Sequence, residues 1–181
     1  MRRRKPRSSV LDPRSCNKRR RFLATAGGLA VAAALPSTAT AQMKAFNSYV
    51  AACAEVSVTG GNKVKVHRIV CATDPGYAVN PAQIERQIAG SFVYGLSAVF
   101  SQECTVKNGR IEQTNFNTFD SMRIAQMPKV ESIIMPSGGF WGGVGEPTIC
   151  VAAPAVLNAM AAATGKRIRT FPLKNHGITM V

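Results

Sequence analysis

Lys63-Val64-Lys65-Val66-His67-Arg68-Ile69-Val70 alternates polar and apolar side chains with period two, the pattern of a strand with one buried face. Just upstream, Ser48–Val58 is rich in Val and Ala and alternates in part, with Gly60-Gly61-Asn62 as a turn between the two runs. Together they read as a hairpin. Asp74-Pro75-Gly76 breaks the pattern, and the period then changes. Asn80 before Pro81 opens a helix, Asn as cap and Pro in the first turn. Ile84, Ile88, Phe92, Leu96 and Phe100 follow as one apolar stripe. Gly90 and Gly95 inside this helix each cost ~1 kcal/mol against Ala, which suggests close packing against another backbone.

Further on, Glu103–Lys107 and Arg110–Phe116 flank Asn108-Gly109, a strong hairpin signal because both turn positions tolerate positive φ. Val130–Met135 reads as a short strand. A glycine-rich loop runs from Pro136 to Pro147, and an Ala-rich helix spans Val151–Thr164, stopped by Gly165. Arg167–Phe171 reads as a last short strand. Strands and helices mix without regular βαβ spacing, so the fold class is α+β, with β-hairpins packed against two main helices.

The chain has 181 residues, 23 basic and 9 acidic, for a net charge of +14. The charge is concentrated: Arg2, Arg3, Arg4, Lys5, Arg7, Arg14, Lys18, Arg19, Arg20 and Arg21 face only one acid, Asp12, before residue 22. A basic nucleic-acid-binding surface is therefore not implied for the rest of the chain. The basic zone is followed by an apolar run, Phe22–Leu35, and then by Ala39-Thr40-Ala41 before Gln42. That is the order of a secretory signal over 1–41, with a mature chain starting at Gln42. The apolar run falls short of the ~20 residues that span a bilayer, so no stable membrane anchor is expected. Arg19-Arg20-Arg21-Phe22-Leu23 fits the twin-arginine pattern and points to the periplasm. The 42–181 segment is then one domain.

Cys16 would leave with the signal, and Cys53, Cys71, Cys104 and Cys150 remain. None has C-x-x-C spacing and each sits in an apolar run, so buried free thiols are expected in preference to disulfides. With only His67 and His176 besides, no metal-ligand cluster is recognisable.

Glu146 is the residue of chemical interest. It ends Gly142-Gly143-Val144-Gly145-Glu146-Pro147, just ahead of a helix. Glycines admit close approach of a ligand to the backbone, and a carboxylate held by Pro147 could serve as a general base. The plain alternative is a Glu that caps the helix in a surface loop. Gln87, off the apolar stripe of the first helix and near Gly90, is a second candidate, or simply part of a solvated face. Asp74 reads as a turn former. No phosphate-binding glycine motif is present.

These residues resemble a family. Gly142–Pro147, then Ala153-Pro154-Ala155, Asn158-Ala159 and Ala161-Ala162-Ala163-Thr164-Gly165-Lys166-Arg167-Ile168-Arg169, are similar to the C-terminal end of molybdenum hydroxylases, the xanthine dehydrogenase and aldehyde oxidase family. Within it the likeness is to large subunits of the isoquinoline 1-oxidoreductase beta type. Ser48-Tyr49-Val50-Ala51, Val66–Ala72, Ala78-Val79-Asn80-Pro81, Gln87-Ile88-Ala89-Gly90 and Tyr94–Ala98 match in the same order, so the resemblance covers about residues 45–174. It implies the C-terminal part of the second molybdopterin-binding domain. It further implies Glu146 as the base in hydroxylating an aromatic N-heterocycle or an aldehyde at a molybdenum centre. Gln87, Gly143 and Gly145 would face a molybdopterin-type cofactor held by its pterin, with no metal ligand from the protein. The family's catalytic subunits are several times longer and carry iron–sulfur partners. The resemblance thus implies a truncated or split subunit, completed by a small iron–sulfur subunit and the remaining molybdopterin-binding segments. The alternative is a non-catalytic relic or assembly module.

Overall fold

The computed structural model describes residues 37–181. The elements run in the order β1 (Ser37–Ala45), β2 (Ser48–Thr59), β3 (Lys63–Asp74), α1 (Pro81–Phe100), β4 (Val106–Lys107), β5 (Arg110–Ile111), a 3-10 turn (Ile124–Gln126), β6 (Lys129–Ile134), α2 (Ile149–Thr164), a second 3-10 turn (Leu173–His176) and β7 (Thr179–Met180). The α+β architecture is as read from the sequence.

β1, β2 and β3 form an antiparallel meander. Its first corner is the two-residue turn Phe46-Asn47, both at positive φ (48° and 63°), which matches the twist of the flanking strands. The β2–β3 hairpin is the one expected. β1 is new: it begins at Ser37, so the expected boundary between leader and domain after Ala41 falls inside a strand. The rest of the expected leader lies outside the described residues.

The other edge of β3 is taken by two parallel strands: β6 along Arg68–Thr73 and β7 along Lys63–Val64. The alternation that defines β3 is interrupted by a register shift at Glu55/Val56, where His67 is the extra residue. Such a bulge reverses which parity faces inward. Val64 and Val66 are buried before it, and Ile69, Cys71 and Thr73 after it, all toward the core lined by Val50, Ala52, Ala54 and Val56 of β2.

α1 starts as expected, with the Asn80 side chain accepting from Gln83 N at 3.3 Å and Pro81 in the first turn. Ile84, Ile88, Phe92, Leu96 and Phe100 are all buried. α2 begins two residues earlier than expected and ends at Gly165 (φ 73°). The helices meet at Gly95, where an added Cβ would lie 2.5 Å from Ala152 Cβ and 3.3 Å from Ile149 O. Gly95 therefore has the packing reason anticipated for it. Gly90 does not: its space is open.

Three local readings are corrected. The β4–β5 hairpin at Asn108-Gly109 is only two residues per strand, because its flanks are exposed and have no sheet to join. Arg167–Phe171 forms no strand; the residues that reach β3 are Thr179–Met180. The four cysteines are free, but only Cys71 is buried, whereas Cys104 is exposed and Cys53 and Cys150 are half-buried. Burial pushes the Cys71 thiol up to about 12.

Candidate active site

The loop leading to Glu146 is pinned along its length. Asp74, at the end of β3, accepts from Gly76 N (2.9 Å), Ser137 N (3.1 Å) and Ser137 Oγ (3.0 Å). Its partial burial would raise the carboxyl's pKa, but these donors outweigh that and hold it below the ordinary carboxylate range. The expected turn former thus also anchors a remote loop. Gly138 N donates to Gly76 O, and Gly142 N to Pro75 O. Gly143 N donates to Phe46 O at 2.8 Å, while Ser48 Oγ donates back to Gly143 O at 2.6 Å. Trp141 stacks on Tyr77 with ring centroids 5.6 Å apart.

These contacts explain the glycines. A Cβ on Gly142 would collide with Ser48 Oγ and the Asn47 carbonyl, and one on Gly143 would meet Phe46 Cβ at 2.9 Å. Both approach the chain's own β1–β2 corner. Gly145 has open space around it.

Beyond Gly145, the chain passes from an exposed Glu146 to Pro147 and Thr148, both fully buried. The Glu146 carbonyl accepts from Ile149 N at 2.9 Å. Thr148 is the N-cap residue of α2, without a side-chain capping bond. The Glu146 carboxylate makes no hydrogen bond or ion pair with another described residue, so the capping alternative is not the arrangement found. Thr148 Oγ1 instead bonds Ser91 Oγ at 2.5 Å, and Ser91 Oγ also donates to Ile88 O. Ser91 stands one helical turn after Gln87, which is exposed and likewise unbonded to described residues. The α1–α2 contact therefore carries Gln87 on one element and Glu146 just before the other, without bringing the two side chains into a mutual bond. Among the described residues no group of three or more His, Cys, Asp or Glu is placed to hold a metal ion.

Chemically, this is a candidate for one wall of a site. A pinned loop presents a carboxylate unbonded to any other described residue, a neighbouring helix presents an amide, and Gly90 and Gly145 leave the backbone uncovered. These residues suit a group held through hydrogen-bond acceptors and donors from one side. The pinning residues Ser48, Phe46, Ser91 and Thr148 had no signal in the sequence, because their partners lie as far as 95 positions away.

Comparison with known proteins bears on what such a wall belongs to. A family model described as a molybdopterin cofactor-binding domain matches residues 19–128, ending ahead of the glycine loop. The isoquinoline 1-oxidoreductase subunit beta of Brevundimonas diminuta is 29% identical over 129 residues, covering 71% of this chain and 16% of that protein. The membrane-bound aldehyde dehydrogenase (pyrroloquinoline-quinone) of Gluconacetobacter polyoxogenes is 32% identical over 111 residues, covering 61% and 14%. Among solved structures, the aldehyde oxidoreductase of Desulfovibrio gigas superposes with a TM-score of 0.60 at 25% identity, covering 69% of this chain and 14% of that one. The chain thus spans about a sixth of the length of these relatives.

Proposed function

Because the chain belongs to the molybdopterin cofactor-binding domain family, we propose that it supplies Glu146 as general base to a molybdenum-cofactor hydroxylase site that other segments complete. The substrate class we assign is an electron-poor carbon of an aromatic N-heterocycle or an aldehyde. The partners are the remaining molybdopterin-binding segments and a small iron–sulfur subunit, and the setting is the periplasm. The molybdenum cofactor, when bound, would supply the redox chemistry.

The observation that carries this reading is the Glu146 carboxylate, unbonded to any other described residue, at the end of a pinned loop. A general base must be free to accept a proton and must be held still. The glycine loop and the Ser91–Thr148 bond meet the second need, and the absence of a described partner meets the first. Gln87 would donate or accept a hydrogen bond beside the cofactor, and the open space at Gly145 would admit it closely. Packing of the completing segments over this wall would exclude water from it.

The test is co-expression with a partner carrying the missing segments. Glu146→Gln should lower turnover by ~10²–10⁴ while molybdenum content stays the same. Equal rates for variant and wild type would reject the base. A complex that never takes up molybdenum would favour the non-catalytic assembly module.

A further inference from the structure

We propose that the stacked pair Tyr77–Trp141 is a capture surface that binds a planar, electron-poor aromatic ring on the free face of the indole. The inference rests on the reading above and narrows its substrate class: a ring with a π face fits this surface, and an aliphatic aldehyde does not.

The end of the domain that carries the glycine loop also carries exposed aromatic side chains. Phe46, Tyr77, Phe140 and Trp141 are 64%, 52%, 81% and 61% exposed. They are drawn together by the backbone: Gly143 N donates to Phe46 O, and an added Cβ on Gly76 would collide with the Phe140 carbonyl. Large apolar side chains gathered on a surface mark a place where something binds. Tyr49 is exposed as well, but Lys44 Nζ sits 4.9 Å from its ring centroid, so that face is taken. Tyr77 and Trp141 stack at an interplanar angle of 27° and cover one face of each other. The remaining exposure of Trp141 belongs to the face that Tyr77 does not reach.

The pair is held from both sides. Tyr77 directly follows Gly76, whose carbonyl accepts from Gly138 N at 2.9 Å. Trp141 directly precedes Gly142, whose N–H donates to Pro75 O at 2.9 Å. A ring fixed in this way loses little freedom when a ligand stacks on it, so most of the stacking gain appears as affinity. The indole face is electron-rich, which favours a ring depleted of electrons over a saturated or electron-rich one. The same depletion is what a carbon attacked in the proposed reaction requires. Trp141 stands five residues ahead of Glu146 on the pinned loop, hence at most ~18 Å from it. A ring captured there is delivered to the wall that carries the carboxylate.

The experiment is a titration of the full chain with nicotinamide, a soluble electron-poor ring, followed by the emission of its single tryptophan. Stacking is worth roughly 5–150-fold in affinity, so quenching should saturate with a half-effect on the order of 10 mM. Free N-acetyltryptophanamide should show only linear, collisional quenching. Tyr77→Ala, which frees the indole, should weaken the saturable phase at least about fivefold. Linear quenching of the wild-type chain, as steep as that of the free amide, overturns the inference. So does displacement of nicotinamide by an equal concentration of cyclohexanecarboxamide, which would make the surface apolar without preference for a π face. A dimer in sedimentation that Trp141→Ser abolishes would assign the surface to a second copy and overturn it too. Failure of the base reads differently, as equal turnover of Glu146→Gln with nicotinamide binding intact.

Discussion

Ser91 and Thr148 share a buried hydrogen bond of 2.5 Å that joins the middle of α1 to the cap of α2, two residues beyond Glu146. Ser91→Ala leaves the Thr148 hydroxyl buried without that partner, which costs about 1–3 kcal/mol. Adding Thr148→Val removes the orphaned group, so the double variant should recover much of the loss. Urea unfolding midpoints measure both effects. A double variant that loses the sum of the two single changes would mean that the bond is energetically idle.

Gly95 is a second test of the same contact. Gly95→Val places methyl groups where Ala152 Cβ and Ile149 O already stand. Overpacking of this kind costs about 1–3 kcal/mol, and Ala152→Gly on top of it should return part of the loss. Gly90→Ala, at an open helical position, should be neutral or stabilising by up to about 1 kcal/mol.

Trp141 is the only tryptophan of the chain, so its fluorescence reports the glycine loop. The Asp74 carboxyl is held below its ordinary value by Gly76 and Ser137, which means that the folded state favours the ionised form. Its contribution is present above the unfolded value of about 3.9 and is lost as pH falls through the lower folded value. Trp141 emission should shift in that acid window, and Asp74→Ala should show the acid spectrum already at neutral pH. An unchanged spectrum in Asp74→Ala would remove Asp74 from the latch.

The cysteines should separate in reactivity. Cys104 is exposed, and Cys71 is buried with its thiol pushed up to about 12. An alkylating reagent at pH 8 should label Cys104 first and Cys71 only on unfolding. Because the folded thiol titrates above the unfolded one, Cys71 stabilises the fold fully below the unfolded value of about 8.5. That stability declines as pH rises toward the folded value.

What was legible in the sequence was local. Asn80-Pro81 and the Ile84–Phe100 stripe mark α1 because capping and periodicity are properties of neighbours. The same holds for the β2–β3 hairpin and for Gly165 ending α2. Glu146 was found from its loop, but the reason its loop is rigid was not, since Ser48 and Asp74 act on Gly143 and Ser137 across long separations. Ser37–Ala41, the first part of β1, reads in the sequence as the end of a leader, because a run of small residues serves a peptidase and a buried strand face equally well. Arg167–Phe171 has a strand-like pattern, yet β3 offers its edge to β6 and β7 instead.

β3 sits at the centre of the sheet and accepts β6 and β7 in parallel, end to end, on its outer edge. Neither strand can reach it through a tight turn, so each pairing closes a long loop before any contact repays the entropy. The meander and its corner can assemble early, while Lys63–Val64 and Arg68–Thr73 wait with unpaired edges for chain made much later. During that interval β3 is an open template for any other extended strand, and faults in folding should begin there.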